Sequence, residues 1–140
     1  MTDRAADPTG RRRLLVRSLM ARRGQSDRLV VHAGERSEPA DGASGSERSE
    51  RHASHGSDER TLRYGDRELE LHLRAGERER LDALLDDYPV FKIDAPATRK
   101  AREGEVYVAA VADPKHLADF IEDCCRRVYG LPEGFALRVE

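Results

Sequence analysis

Two cysteines stand side by side in "FIEDCCRRVYG", residues 120–130, and they are the only thiols in the chain. A thiol pair raises redox and metal chemistry first. Neighbouring cysteines inside a helix cannot close an unstrained disulfide. A metal would need further thiol or imidazole ligands at workable spacing, and the flanking sequence supplies none. At about 100° per residue, Leu117, Ile121, Cys124 and Val128 share one side of a helix, with Cys125 on its flank. Lys115, Asp119, Glu122 and Arg126 take the other side. A free cysteine behaves as a small hydrophobe, so Cys124 is expected in the core and Cys125 at its boundary.

The histidines are the next candidates. His52, His55 and Asp58 in "HASHGSD" could close on a divalent cation only by ordering a segment without apolar anchors, an entropic cost that favours a solvated linker. His72 falls on the polar side of a strand beside Glu68 and Glu70, where an imidazole can act as acid or base. No nucleophile, second acid or phosphate loop must converge on it, and His116 reads as an ordinary residue at the edge of a polar helix face. The sequence therefore nominates no catalytic residue, no metal ligand set and no cofactor, and an enzyme is the weaker expectation.

Basic residues cluster twice. One group is Arg11, Arg12, Arg13, Arg17, Arg22 and Arg23; the other is Arg99, Lys100 and Arg102 in "TRKAR". Guanidinium forks gathered on one surface suit phosphate. These residues are the candidate nucleic-acid contacts, on the condition that both groups face the same way. The overall charge of −2 and an aromatic content of 5% argue against a general field for nucleic acid and against base-stacking platforms.

The elements that must position these groups fall into three regimes. Residues 1–33 hold eight arginines and three acids; residues 34–59 hold three arginines and seven acids; the remainder is nearly balanced. The first regime predicts a basic helix over 9–23, with Thr9 as N-cap and Leu15, Val16, Leu19 and Met20 on one side, then a strand "RLVVHA" over 28–33. Residues 34–58 contain no Leu, Ile, Val, Phe, Tyr or Met and predict a disordered polar linker. From residue 59 an α+β core domain is expected. "TLRY" and "RELELHLR" frame Gly65-Asp66 as a hairpin. Leu81, Leu84, Leu85 and Tyr88 make one helical stripe that Pro89 ends. "VFKID" and "EVYVAAVA" are strands separated by a loop. Asp113 and Pro114 open a helix that Gly130 closes, and "FALRVE" is a last strand with Phe135, Leu137 and Val139 inward. Over 67–140 this gives β-α-β-β-α-β, the ferredoxin-like order, unless the hairpin strand at 61–64 takes the edge beside 67–73 and changes the sheet order. The expected architecture is a two-layer α+β sandwich, an antiparallel sheet with two helices on one face, plus the N-terminal helix and strand.

These pieces resemble a family of small uncharacterised proteins from halophilic archaea. The resemblance lies in "RRRLLVRSLMARRGQSDRLVV", "RYGDRELEL", "RLDALLDDYPVFKID" and "RRVYGLPEGF". It covers most of the chain outside 34–58 and implies a fold rather than an activity. The near-neutral net charge departs from the strongly acidic balance usual in such organisms.

The functional expectation is a non-enzymatic binding module that engages another protein or a second copy of itself. RNA or DNA binding through the two basic groups is the alternative, and a small-ligand sensor or enzyme the third reading. The apolar run after "TGRRR" is broken by Arg17 and Arg22, too short for an export signal or a membrane span. With only two adjacent cysteines, the reducing cytoplasm is the expected compartment.

Overall fold

A computed structural model describes residues 3–22, 28–34 and 59–140. Arg23, the histidine pair at 52 and 55, and the expected linker apart from Gly34 lie outside the described residues. The described residues form seven strands and four α-helices: β1 (Asp3–Ala5), α1 (Pro8–Ala21), β2 (Leu29–Gly34), β3 (Arg60–Gly65), β4 (Glu68–His72), α2 (Glu77–Asp87), β5 (Lys92–Ile93), α3 (Ala95–Lys100), β6 (Glu105–Ala109), α4 (Pro114–Asp123) and β7 (Ala136–Val139). A π-turn, Cys124–Val128, continues α4. It is an α+β sandwich with an open antiparallel sheet.

The sheet order is β1-β7-β2-β3-β4-β6-β5, and this departs from the expected ferredoxin-like arrangement. In that arrangement β7 would lie beside β4. Here the hairpin joins β3 to β4 across Asp66 and Arg67, with Gly65 paired to Glu68, so β3 claims the β4 edge. β2 pairs with β3, and β7 with β2. Inserting two strands between β4 and β7 leaves the alternation of directions intact, which is why every neighbour remains antiparallel. Both turn residues have positive φ, 53° at Asp66 and 63° at Arg67. This is the mirror-image two-residue turn whose twist matches a hairpin. The turn therefore falls one residue later than the Gly65-Asp66 reading.

One face of the sheet is apolar and meets the helices. Leu29, Val31, Leu62, Leu69, Leu71, Val106, Val108, Leu137 and Val139 alternate inward, the period-two signature of half-buried strands. Three helices cover them rather than the two expected. α2 contributes Leu81 and Leu84, α4 contributes Leu117, Phe120 and Ile121, and α1 contributes Leu14, Leu15 and Leu19. Thus α1 packs on the body through Leu14, Leu15 and Leu19, whereas Val16 and Met20, expected on the inward side, are half-buried and exposed respectively. Its N-cap is Asp7, whose Oδ2 accepts from Gly10 N at 2.9 Å ahead of Pro8. A carboxylate followed by proline is a stronger start signal than Thr9. The same grammar makes α3, which was expected as loop. Asp94 Oδ1 accepts from Ala97 N at 3.2 Å, with proline in the first turn. Thr98 Oγ1 then accepts from Tyr107 N at 3.0 Å, so α3 lines the edge of β6 beyond the two-residue β5.

Candidate functional site

The second face of the sheet is polar, and its ladder fixes where each charge stands. His72 on β4 lies directly opposite Glu105 on β6; Glu70, two residues earlier on the same face, lies opposite Tyr107. His72 Nε2 is 3.1 Å from Glu70 Oε2, and its Nδ1 is 3.9 Å from Glu105 Oε2. One ligand atom from each of the three residues lies within 4.8 Å of the other two. Arg28 Nη1 and Arg63 Nη1 approach the Glu70 carboxylate at 3.4 and 3.6 Å. A cleft of about 350 Å³ opens beside His72, lined also by Thr61, Arg63 and Arg74. Glu68 shares this face, and its hydrogen bond with Asp94 raises the Glu68 carboxyl above its ordinary value and lowers that of Asp94. Further across, His32 Nε2 stands 3.2 Å from Glu140 Oε2, near enough for ion pairing but out of line for a hydrogen bond. The expectation of His72 beside Glu68 and Glu70 thus gains a member, Glu105, which only strand register could supply.

Beneath the sheet, two arginine forks are buried. Arg11 Nε donates to Glu122 Oε1 at 2.9 Å and Nη2 to Oε2 at 2.7 Å, while Nη1 donates to the Phe135 carbonyl at 2.9 Å. The Arg11 guanidinium also stacks 3.8 Å from the Phe135 ring centroid. This overturns the surface assignment of Arg11: its side chain is 0% exposed. The reason is visible in spacing, since Arg11 precedes Leu14 and Leu15 by three and four residues and so shares their inward side. Glu122, expected on the charged side of α4, is buried as its partner.

Arg60 forms the matching fork. It donates to Glu77 Oε2 at 2.8 Å from Nη1, to the other carboxylate oxygen from Nη2, and to the His72 carbonyl at 3.1 Å. Its guanidinium lies 4.0 Å from the Tyr129 ring centroid. Burial pushes the Glu77 carboxyl up, but the Arg60 fork and the Arg74 backbone N–H outweigh it and hold the group below its ordinary value. Neither Arg60 nor Glu77 was singled out from the sequence.

Between the forks runs the π-turn. Tyr129 N donates to Cys124 O at 2.9 Å, an i→i+5 bond, and the wider turn alters the phase of the helix's last residues. Both cysteines are fully buried; Cys125, expected at the rim, is inside because it continues the buried stripe of Ala118, Ile121 and Glu122 at α-helical spacing. Burial drives both thiols far above their ordinary values, which keeps them protonated and unreactive at neutral pH. Gly130, φ 75°, closes the turn as expected. His116 is half-buried and stacks on Phe91 at 5.3 Å between ring centroids.

The remaining basic residues separate. Arg12, Arg13 and Arg17 line the outer side of α1, around a groove of about 1030 Å³ shared with Lys115 and Asp119 of α4. Val16 and Met20 supply apolar surface there, and Met20 is 54% exposed. Arg12 Nε pairs with Asp119 Oδ1 at 2.6 Å. Arg22 Nη1 donates to the Arg28 carbonyl at 3.2 Å. Arg99, Lys100 and Arg102 are exposed on and just after α3, beside β6. α1 lies over β1 and β7 at the other end of the sheet. β7 and β6 are four strand steps apart, about 19 Å at the usual spacing. Among the described residues, the α1 arginines and the Arg99, Lys100 and Arg102 group thus lie toward opposite ends of the sheet.

No curated protein and no solved structure matches the chain. Residues 1–140 match one family model, and the chain accordingly belongs to the Family of unknown function (DUF7975).

Proposed function

We propose that this protein is a non-enzymatic binding module whose α1–α4 groove takes an acidic, amphipathic segment of a partner protein. The observation that carries the reading is the groove itself. An exposed apolar floor of Val16 and Met20 is bordered by Arg12, Arg13, Arg17 and Lys115 against the single acid Asp119. A helix laid into a groove is anchored by apolar residues and aligned by rim charge, so an occupant with acidic flanks is the complement of this surface. Two free cysteines and no disulfide among the described residues fit the reducing cytoplasm. Among the described residues no helix is long and apolar enough to cross a membrane. The motif resemblance supports a source among halophilic archaea.

Nucleic-acid binding through both basic groups is the less favoured reading, because the α3 residues lie too far from α1 to share one phosphate track. The test is a photo-crosslinking residue placed in native cells at position 16 or 20, with position 107 on the polar sheet face as control. The expected product is a protein adduct from 16 and 20 only, whose crosslinked peptide is net acidic with apolar residues at i, i+3 or i+4. RNA adducts that vanish in Arg13→Glu would move the assignment to nucleic acid. Adducts to a second copy of the chain would make the module self-associating, and equal labelling from position 107 would sink the groove.

A further inference from the structure

The polar sheet face carries a second site, independent of the groove. We propose that Glu70, His72 and Glu105 bind a divalent transition-metal ion of the zinc class on the β4–β6 ladder.

The donor set is the first argument. Two carboxylates and one imidazole form a mixed oxygen–nitrogen set, which favours zinc-like ions over the all-oxygen preference of magnesium. The second is preorganisation. All three residues project from two paired strands inside the sheet, with His72 and Glu105 in direct register and Glu70 two residues away on the same face. One ligand atom from each already falls within 4.8 Å of the others. Ligands held at about 2.1 Å from an ion sit roughly 3–3.5 Å from one another, so closing the site needs side-chain rotation and no backbone shift. His72 has the freedom to do this: its side chain is 47% exposed, and its two nitrogens now face different carboxylates, Nε2 toward Glu70 and Nδ1 toward Glu105. Turning the ring brings one nitrogen to the ion.

Charge is the third argument, and it contains the counterforce. Arg28 and Arg63 occupy the Glu70 carboxylate loosely, at 3.4 and 3.6 Å, on side chains 41% and 42% exposed. These contacts are longer than a good charge-assisted hydrogen bond. They act as placeholders that an ion displaces into the solvent. Of the three residues, His72 alone lines the cleft of about 350 Å³, together with Thr61, Arg63 and Arg74, so an ion would approach from the imidazole side.

The arginines make the inference sharply testable. Isothermal titration of the metal-free full chain with ZnCl2 at neutral pH, with MgCl2 as control, should give one zinc site and no magnesium response. His72→Ala and Glu105→Gln should each weaken that site at least tenfold, with far-UV circular dichroism unchanged. Arg63→Ala should tighten it several-fold, since it removes a competing cation. A combined His52→Ala/His55→Ala variant should leave it untouched. No zinc binding in the wild-type chain, or zinc binding equal in wild type and His72→Ala, overturns the proposal. Loss of binding on changing His52 and His55 alone overturns it as well.

Discussion

Charge lies on both sides of this sheet, and the two populations behave differently. Below, Arg11 and Arg60 each grip one glutamate through two nitrogens and stack on an aromatic ring. Above, Glu70 is shared by Arg28, Arg63 and His72 at 3.1 to 3.6 Å. Burial makes the difference. A desolvated ion must satisfy its hydrogen-bonding capacity within the protein or be excluded, so the lower pairs have one geometry each. Water and salt screen the upper charges, so they can exchange partners at little cost. The lower pairs therefore position elements: Arg11 ties α1 to α4 and to the start of β7, and Arg60 ties β3 to α2. The upper charges are the ones available to a ligand.

The comparison breaks most visibly at Arg11. Arg11→Ala leaves the buried Glu122 carboxyl without its partner, and should cost about 3–5 kcal/mol, read by urea denaturation at neutral pH. Arg11→Met combined with Glu122→Leu removes both charges while keeping volume, and should recover most of that loss. If the double variant is as unstable as the single one, α1 is held by something other than this fork.

Acid should find the second fork next. The Glu77 carboxyl is held below its ordinary value. Its contribution is thus fully present above the unfolded-state pKa of about 4.3 and is lost as pH falls through the lower folded value. Glu77→Gln should be less stable than wild type at pH 7 and show a flatter loss of stability below about pH 4.3. A parallel acid limb in both proteins would remove Glu77 from the account.

This contrast was only half legible in the sequence. The inward faces of β2, β4 and β7, the stripe of α2 and both ends of the helix from Asp113 to Gly130 follow from period and capping chemistry, which act within a few residues. The hairpin insertion between β4 and β7 is legible only as a competition for the β4 edge, whose outcome no local pattern decides. The buried arginines have mixed status. Arg11 could have been read from its spacing to Leu14 and Leu15, had charge not been taken as a sign of exposure. Arg60 alternates inward with Leu62, but its partner Glu77 is 17 residues away and no local pattern links them. Glu105 joins His72 only through register. Cys125 is inside because the buried face of α4 is wider than its apolar stripe, extending over Glu122, whose partner Arg11 lies 111 residues away.

A smaller effect is expected at Tyr129. Its ring carries the Arg60 stack, yet its buried hydroxyl has no hydrogen-bond partner among the described residues. Tyr129→Phe keeps the ring and removes the desolvated hydroxyl. It should leave stability unchanged or raise it by up to about 1 kcal/mol, measured by thermal and urea denaturation. A marked loss would mean that the hydroxyl contributes to the Arg60 fork.

The smallest effect sharpens the comparison from the other side. Arg63 and Glu70 are a salt bridge by distance, 3.6 Å, just as Arg11 and Glu122 are at 2.7 Å. Arg63 is nearly half exposed, its contact is long, and it competes with Arg28 and His72 for one carboxylate. Such pairs typically contribute under about 1 kcal/mol. Arg63→Ala should therefore shift unfolding by no more than about 0.5 kcal/mol, and a double-mutant cycle with Glu70→Gln should give a coupling of the same small size. The buried pair, taken through the same kind of cycle with Arg11→Ala and Glu122→Gln, should give a coupling several times larger. If Arg63–Glu70 instead coupled as strongly as the buried fork, the polar face would be a fixed network, and its glutamate would no longer be free to change partners.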